Sequence, residues 1–117
     1  MNKKVQLQLS KRRSGLEWNK TEKAFGDELE MWKRGGEITW WAFEPMKLRL
    51  AKSCFYTPDF AVMQADRSFE FFEVKGFWRD DARVKIKVAV TLFPMFTFTA
   101  VSMKAKRDGG GWSYEVF

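Results

Sequence analysis

Two stretches of sequence decide the fold: Tyr56-Thr57-Pro58-Asp59-Phe60 and Phe72-Glu73-Val74-Lys75-Gly76. The chain over 55–63 and 69–75 is rich in aromatic and β-branched residues, which favour strands. Asp66-Arg67-Ser68 lies between these runs and has the composition of a turn, so the pattern predicts a β-hairpin. Pro58-Asp59 interrupts the first strand, which puts an acid among apolar residues.

A helix is predicted before the hairpin. It starts near Asn19 or Thr21, with Thr21 as its N-cap, and it ends at Arg34, where Gly35-Gly36 is a stop signal. Its apolar residues recur at spacings of four and three, which gives one buried stripe: Phe25, Leu29 and Trp32. Two extended segments follow, a strand over 37–43 that Pro45 ends and a shorter piece over 46–50.

A second helix is predicted after the hairpin, from Ala82 to about Phe93, with Asp80 or Asp81 as its cap and Pro94 as its end. Three apolar residues share one of its faces: Val84, Val88 and Leu92. Strands over 97–103 and 112–117 complete the chain. Because a helix here links two strands, we expect a βαβ crossover with parallel pairing.

The predicted fold class is therefore α/β, a mixed β-sheet flanked by two helices. The chain has 117 residues, the length of one small domain. We assign residues 16–117 to this domain and residues 1–15 to a basic N-terminal arm.

The composition excludes several kinds of active site. The chain has no histidine, which removes Ser-His-Asp and Cys-His catalysis and any histidine-ligated metal. Cys54 is the single cysteine, so no intrachain disulfide forms, and we interpret it as a strand or core residue. Catalysis must rely on carboxylates, amines, hydroxyls or an oxygen-ligated metal.

The positive charge is concentrated at the N-terminus. The net charge is +6, and residues 1–14 hold five basic residues and no acid. Such an arm attracts phosphate backbones, and Lys11, Arg12 and Arg13 are its candidate nucleic-acid contacts; a solvated tail is the alternative. No apolar run approaches the ~20 residues of a membrane span, so we expect no membrane partner and a cytoplasmic location.

The hairpin carries the candidate chemistry. Side chains alternate along a strand, so Glu73 and Lys75 share a face, and Asp59 on the neighbouring strand can lie across from Glu73. Two carboxylates and the backbone carbonyl of Val74 make a hard oxygen site that suits Mg²⁺. Lys75 can activate a water or stabilise charge on a phosphate. The alternative is an ordinary Glu–Lys pair that faces solvent.

Pro58-Asp59 followed by Glu73-Val74-Lys75, on adjacent strands after a helix, resembles the PD-(D/E)xK nucleases, which share the restriction-endonuclease-like fold. More narrowly, the chain is similar to small phage-encoded endonucleases, some of them related to Holliday-junction resolvases. The resemblance covers about residues 19–103 and includes Thr21-Glu22 at the start of the first helix.

The resemblance implies metal-dependent hydrolysis of DNA phosphodiester bonds. Asp59 and Glu73 would hold Mg²⁺ or Mn²⁺, and Lys75 would position the attacking water. Glu22 would complete the site as the helix glutamate, with Glu28 and Glu30 as the other candidates. A first-turn acid that interacts with the helix dipole is the alternative interpretation of Glu22.

The expected partner is DNA, in host cytoplasm if a phage encodes the chain, and no small-molecule cofactor is implied. Lys85 and Lys87, on the helix after the motif, are further candidate contacts with the nucleic acid, or ordinary solvated residues.

Cleavage of both strands needs two sites, which predicts a homodimer with an isologous interface. The alternative function is a non-catalytic nucleic-acid-binding or host-interaction module with the same fold.

The strand aromatics are interpreted as core residues rather than as base-stacking platforms. This group is Trp40, Trp41, Phe55, Phe69, Phe71, Phe72, Phe96 and Phe98.

Overall fold

The computed structural model describes residues 18–76 and 80–117. The basic arm, with Lys11, Arg12 and Arg13, lies outside the described residues. Within these residues two helices and seven strands follow one another, one strand more than predicted. The predicted strand over 55–63 is divided at Pro58-Asp59 into two strands that belong to different sheets, because proline cannot donate a ladder hydrogen bond. The elements are α1 (Lys20–Arg34), β1 (Ile38–Phe43), β2 (Leu48–Ala51), β3 (Cys54–Tyr56), β4 (Phe60–Gln64), β5 (Phe69–Val74), α2 (Asp80–Leu92), β6 (Thr97–Met103) and β7 (Trp112–Val116), with a short 3₁₀ turn at Lys106–Asp108.

Five of the strands form one mixed sheet in the order β1-β4-β5-β6-β7. β4 pairs antiparallel with β1 and with β5, so the predicted hairpin is confirmed. α2 connects β5 to β6, which lie parallel, as the crossover predicts. β2 and β3 form a separate two-stranded hairpin. The predicted mixed sheet with two helices is confirmed.

Asn19, not Thr21, caps α1. The Asn19 side-chain oxygen accepts a 2.8 Å hydrogen bond from the Glu22 N–H, and Glu22 Oε1 accepts a 3.0 Å bond from the Asn19 N–H. This reciprocal capping box satisfies two backbone donors that the helix itself leaves unpaired. The helix ends at Arg34, and Gly36 follows with φ 83°, as the double glycine predicts.

The second helix begins two residues earlier than predicted. Asp80 and Asp81 both lie inside α2, so neither is its cap. Val84, Val88 and Leu92 do share a face, but that face is exposed to solvent. Ile86 and Ala89, on the opposite face, are the residues that α2 buries.

The sheet separates two hydrophobic clusters. Phe25 and Leu29 of α1 pack with Phe60 and Phe72 on one side. Phe71 packs with α2 and with the β2–β3 hairpin on the other. Because side chains alternate along β5, Glu73 lies on the same side of the sheet as Phe71. The candidate site therefore faces α2 and the β2–β3 hairpin.

Most of the strand aromatics are core residues, but two are not. Phe55 is 44% exposed and Trp40 is 39% exposed. Phe55 belongs to the small hairpin and lies on its outer side, and Trp40 is on the edge strand β1. Within the described residues, none of the helices is both long and apolar enough to cross a membrane.

Candidate active site

The β4–β5 hairpin brings Asp59 next to Glu73. Phe60 pairs with Phe72, so the residue before β4 lies beside the end of β5. One carboxylate oxygen of Asp59 accepts a 2.8 Å hydrogen bond from the Val74 N–H. This bond fixes the Asp59 side chain against the backbone between Glu73 and Lys75. The predicted juxtaposition of the two acids is present in the structure.

Glu73 is the most constrained acid of the site, with only 8% of its surface exposed. Its Oε1 accepts a 2.7 Å hydrogen bond from the Tyr56 hydroxyl. Its Oε2 lies 2.9 Å from the Lys75 ammonium. A buried carboxylate needs such partners to offset the cost of leaving water. The Glu–Lys pair is thus largely buried and does not face solvent.

The surroundings of Asp59 disfavour its ionised form. Burial, followed by the negative charge of Glu73, raises the pKa of Asp59 to about 8, against the bond from Val74 and the charge of Lys75, which lower it. Two carboxylates held close together resist the loss of the second proton. The site therefore favours a positive ligand that neutralises both.

Glu22 is the helix acid whose charge acts on this site. Its charge contributes to the raised pKa of Asp59. Glu30 points elsewhere, because its carboxylate accepts a 3.0 Å bond from the Trp41 indole and pairs with Arg34 at 3.5 Å. Glu28 raises the pKa of Tyr114, after burial of that phenol, so it lies towards β7. Of the three candidates, Glu22 is the one whose charge acts on Asp59, but among the described residues it does not join Asp59 and Glu73 in a three-acid metal group.

Carboxylate and carbonyl oxygens are the ligands that Mg²⁺ and Mn²⁺ prefer. Asp59 and Glu73 supply hard carboxylate oxygens, and the backbone carbonyl of Val74 follows Glu73 directly in the chain. Mg²⁺ retains several waters and is bound through one or two carboxylates in many phosphate-processing sites. No group of three or more Asp, Glu or Cys side chains converges in the described part of the chain. Water and a substrate phosphate would have to complete the coordination.

Tyr56 is the site residue that was not predicted from the sequence. A tyrosine at the end of an apolar strand needs a partner for its hydroxyl once it is buried. Glu73 is that partner, and burial together with the Glu73 charge raises the pKa of Tyr56 well above its usual range. The hydroxyl therefore keeps its proton and donates a hydrogen bond to Glu73.

Lys85 and Lys87 both lie on α2, the first half-buried and the second exposed. Within residues 18–76 and 80–117, neither forms a hydrogen bond or an ion pair with Asp59, Glu73 or Lys75. Their assignment as nucleic-acid contacts stays a prediction.

Comparison with protein-family models, curated proteins and solved structures gives no match to this chain.

Proposed function

We propose that this chain is a metal-dependent DNA endonuclease, phage-encoded and selective for branched structures such as Holliday junctions. One observation carries the proposal: Asp59, Glu73 and Lys75 meet at the end of the central hairpin, with the charge of Glu22 close to Asp59. Two acids beside an amine can hold a catalytic metal ion and stabilise charge on a phosphate, which supports phosphodiester hydrolysis.

In this proposal Asp59 and Glu73, with the Val74 carbonyl, hold Mg²⁺. The metal, when bound, supplies a Lewis acid for the phosphate and lowers the pKa of a coordinated water. Tyr56 and Lys75 hold the Glu73 carboxylate through its two oxygens, so it is oriented before the substrate arrives.

Lys75 supplies positive charge where the phosphate gains negative charge. Its ammonium lies 2.9 Å from Glu73, so it is fixed beside the acids rather than free in solvent. A fixed cation stabilises the developing charge without reorganisation during the reaction. In hydrolysis the oxygen of a water molecule bonds to phosphorus and the water gives up one proton, while the bridging P–O bond breaks and the leaving oxygen takes up a proton.

The test is cleavage of a supercoiled plasmid and of a labelled four-way junction. We expect nicking in Mg²⁺ or Mn²⁺, none in EDTA, and a loss of at least about 100-fold in Asp59→Asn and Glu73→Gln, since each removes a metal ligand. Asp66→Asn, which changes an exposed acid at the far end of the hairpin, is the matched control and should cleave normally.

Cleavage that persists in EDTA or in Asp59→Asn would contradict the proposal. Binding of DNA without cleavage in either metal would favour the non-catalytic module instead.

The proposal includes a homodimer, because each copy carries one site and a duplex has two strands. Light scattering with and without a four-way junction should show two copies for each junction. A single copy bound to a fully cleaved junction would contradict this part of the proposal.

A further inference from the structure

The β2–β3 hairpin has a charge pattern that the proposed catalytic chemistry does not use. Residues 45–58 contain three basic residues and no acid. All three are exposed: Lys47, Arg49 and Lys52. Within residues 18–76 and 80–117, none of them forms an ion pair with an acid. We call these residues and Phe55 the basic hairpin.

Alternation gives the basic hairpin two different faces. Leu48 and Tyr56 pair with each other and are buried in the cluster with α2. Arg49 pairs with Phe55, and side chains at paired positions lie on the same side of a two-stranded sheet. The inner face therefore packs on the protein, and the outer face presents Arg49 and Phe55 together.

Lys47 belongs to the same outer face. It lies two residues before Arg49, and its ammonium sits 5.4 Å from the centre of the Phe55 ring. Lys52 is at the tip, next to Ser53, whose φ of 58° forms the tight turn. An exposed aromatic ring thus has Lys47 and Arg49 beside it on the same face, with Lys52 at the tip of the hairpin.

The basic hairpin is also connected directly to the candidate active site. Tyr56 is the last residue of β3, and its hydroxyl bonds to Glu73. Three residues further along the chain comes Asp59. Phe55 of the outer face is the chain neighbour of Tyr56, so a nucleic acid that contacts both the acids and this face must pass around the edge of the hairpin.

We infer that the outer face of the basic hairpin binds the DNA strand next to the cleaved phosphate, with Lys47, Arg49 and Lys52 on backbone phosphates and Phe55 stacked on an unpaired base. The inference rests on the proposed function and names the part of the substrate that the site holds. Positive side chains interleaved with an exposed aromatic ring are the means by which proteins bind single strands. An unpaired base is available at a branch and not within an intact duplex.

The first experiment removes the charge. The variant Lys47→Ser/Arg49→Ser/Lys52→Ser is compared with a control that also loses three positive charges, Lys33→Ser/Arg34→Ser/Arg67→Asn. The control residues lie at the end of α1 and in the β4–β5 turn, away from Asp59. All six side chains are exposed, so both variants should fold, and circular dichroism checks this.

Binding is measured by fluorescence anisotropy in EDTA, with labelled duplex and single-stranded DNA over a range of salt concentrations. The hairpin variant should bind at least about ten-fold more weakly, and its salt slope on duplex should fall by about 2 to 3, since each phosphate contact contributes about 0.9. The control should keep the wild-type slope.

The second experiment tests Phe55. Phe55→Leu keeps an apolar side chain but removes the ring face, and Trp40→Leu is the control at another exposed strand aromatic. Phe55→Leu should weaken binding of single-stranded DNA by about five-fold or more and barely change binding of duplex. Trp40→Leu should change neither.

The outcomes separate this inference from the proposed function. The inference is overturned, even if the wild type cleaves, when the hairpin variant binds DNA with the same affinity and salt slope as the wild type. It is also overturned when the control variant loses as much DNA affinity as the hairpin variant. Hairpin-dependent binding by a wild type that never cleaves supports the DNA contact on the hairpin and overturns the endonuclease. Binding of an acidic polypeptide such as polyglutamate as tightly as DNA would also overturn the inference.

Discussion

The Tyr56 hydroxyl donates a 2.7 Å hydrogen bond to Oε1 of Glu73, inside the protein and between two separate sheets. This bond links the small β2–β3 hairpin to the central strand that carries the acid and the amine. It leaves Lys75 to pair with the other oxygen of the same carboxylate. The orientation of Glu73 thus depends on a residue outside the central sheet.

Removal of this hydroxyl should lower both stability and metal affinity. In Tyr56→Phe the ring stays in the core, but a buried carboxylate loses one of its two partners. We expect a loss of about 1–3 kcal/mol in the free energy of unfolding, measured in urea. Residues that orient a ligand contribute about ten-fold or more to metal affinity, so Mn²⁺ binding should weaken by at least that factor.

Tyr114→Phe is the matched control, because Tyr114 is the other tyrosine of the chain and is 45% exposed on the outermost strand β7. It should leave both quantities within about 0.5 kcal/mol of the wild type. Mn²⁺ binding to the DNA-free protein, followed by electron paramagnetic resonance, provides a measurement independent of cleavage. Equal Mn²⁺ affinity in wild type and Tyr56→Phe would show that Tyr56 supports only the fold.

The raised pKa of Asp59 predicts how stability depends on pH in the absence of metal. The pKa rises from an ordinary 3.8 to about 8 in the folded protein. The folded state therefore retains a proton that the unfolded state has lost, and its stability falls as pH rises through this window. One pKa unit corresponds to about 1.4 kcal/mol, and because solvent screens a half-buried side chain we expect a loss of about 2 kcal/mol between pH 5 and pH 9.

Urea unfolding in EDTA across this range measures the effect. Asp59→Asn removes the titrating group, so its stability should be nearly constant there and should exceed that of the wild type at pH 9. Asp66→Asn is the control: the bonds from Ser68 lower the pKa of Asp66, so its titration lies below the window. If the free energy of unfolding of the wild type rises between pH 5 and pH 9, the raised pKa of Asp59 is contradicted.

The fold was predictable from the sequence because its local signals agree. Gly35-Gly36 ends α1, Asp66-Arg67-Ser68 turns the hairpin, and Pro94 follows α2. Each is a local preference of the backbone, and each acts within a few residues. The parallel pairing of β5 with β6 then follows from the handedness and length of a helical connection.

The surface of the fold was less predictable, because a periodic pattern shows which residues share a face and not which face packs. Val84, Val88 and Leu92 form an apolar stripe, yet α2 packs through Ile86 and Ala89. Phe55 is a large apolar residue of the kind that cores contain, but it lies on the outer face of a two-stranded hairpin. The packing of the β2–β3 hairpin against α2 decides which of these apolar side chains are buried, and no local pattern in the sequence encodes that contact.

The shared face of Glu73 and Lys75 was predictable from strand alternation, and Asp59 was predicted beside Glu73 although it lies just before β4 and not in a strand, whereas Tyr56 was not predicted. Alternation relates residues within a strand and across a known hairpin. The bond from Tyr56 to Glu73 joins strands that are not neighbours in a sheet, and no spacing in the sequence encodes that distance.

Glu22 has two roles that one substitution can separate. Its carboxylate closes the capping box of α1, and its charge acts on Asp59. Glutamine at this position of a capping box also bonds to the N-cap backbone, so Glu22→Gln should preserve the helix start while it removes the charge. If Glu22 completes the metal site, Glu22→Gln should raise the Mg²⁺ concentration needed for cleavage by about ten-fold or more.

A second measurement for Glu22→Gln does not depend on activity. The charge of Glu22 raises the pKa of Asp59, so its removal should lower that pKa, as read from the side-chain carboxyl signal by NMR. Glu30→Gln removes a charge from the same helix but from a residue bonded to Trp41 and Arg34. Glu30→Gln should leave the pKa of Asp59 and the Mg²⁺ concentration needed for cleavage unchanged. If Glu30→Gln reduces cleavage more than Glu22→Gln does, the assignment of Glu22 as the helix acid of the site is wrong.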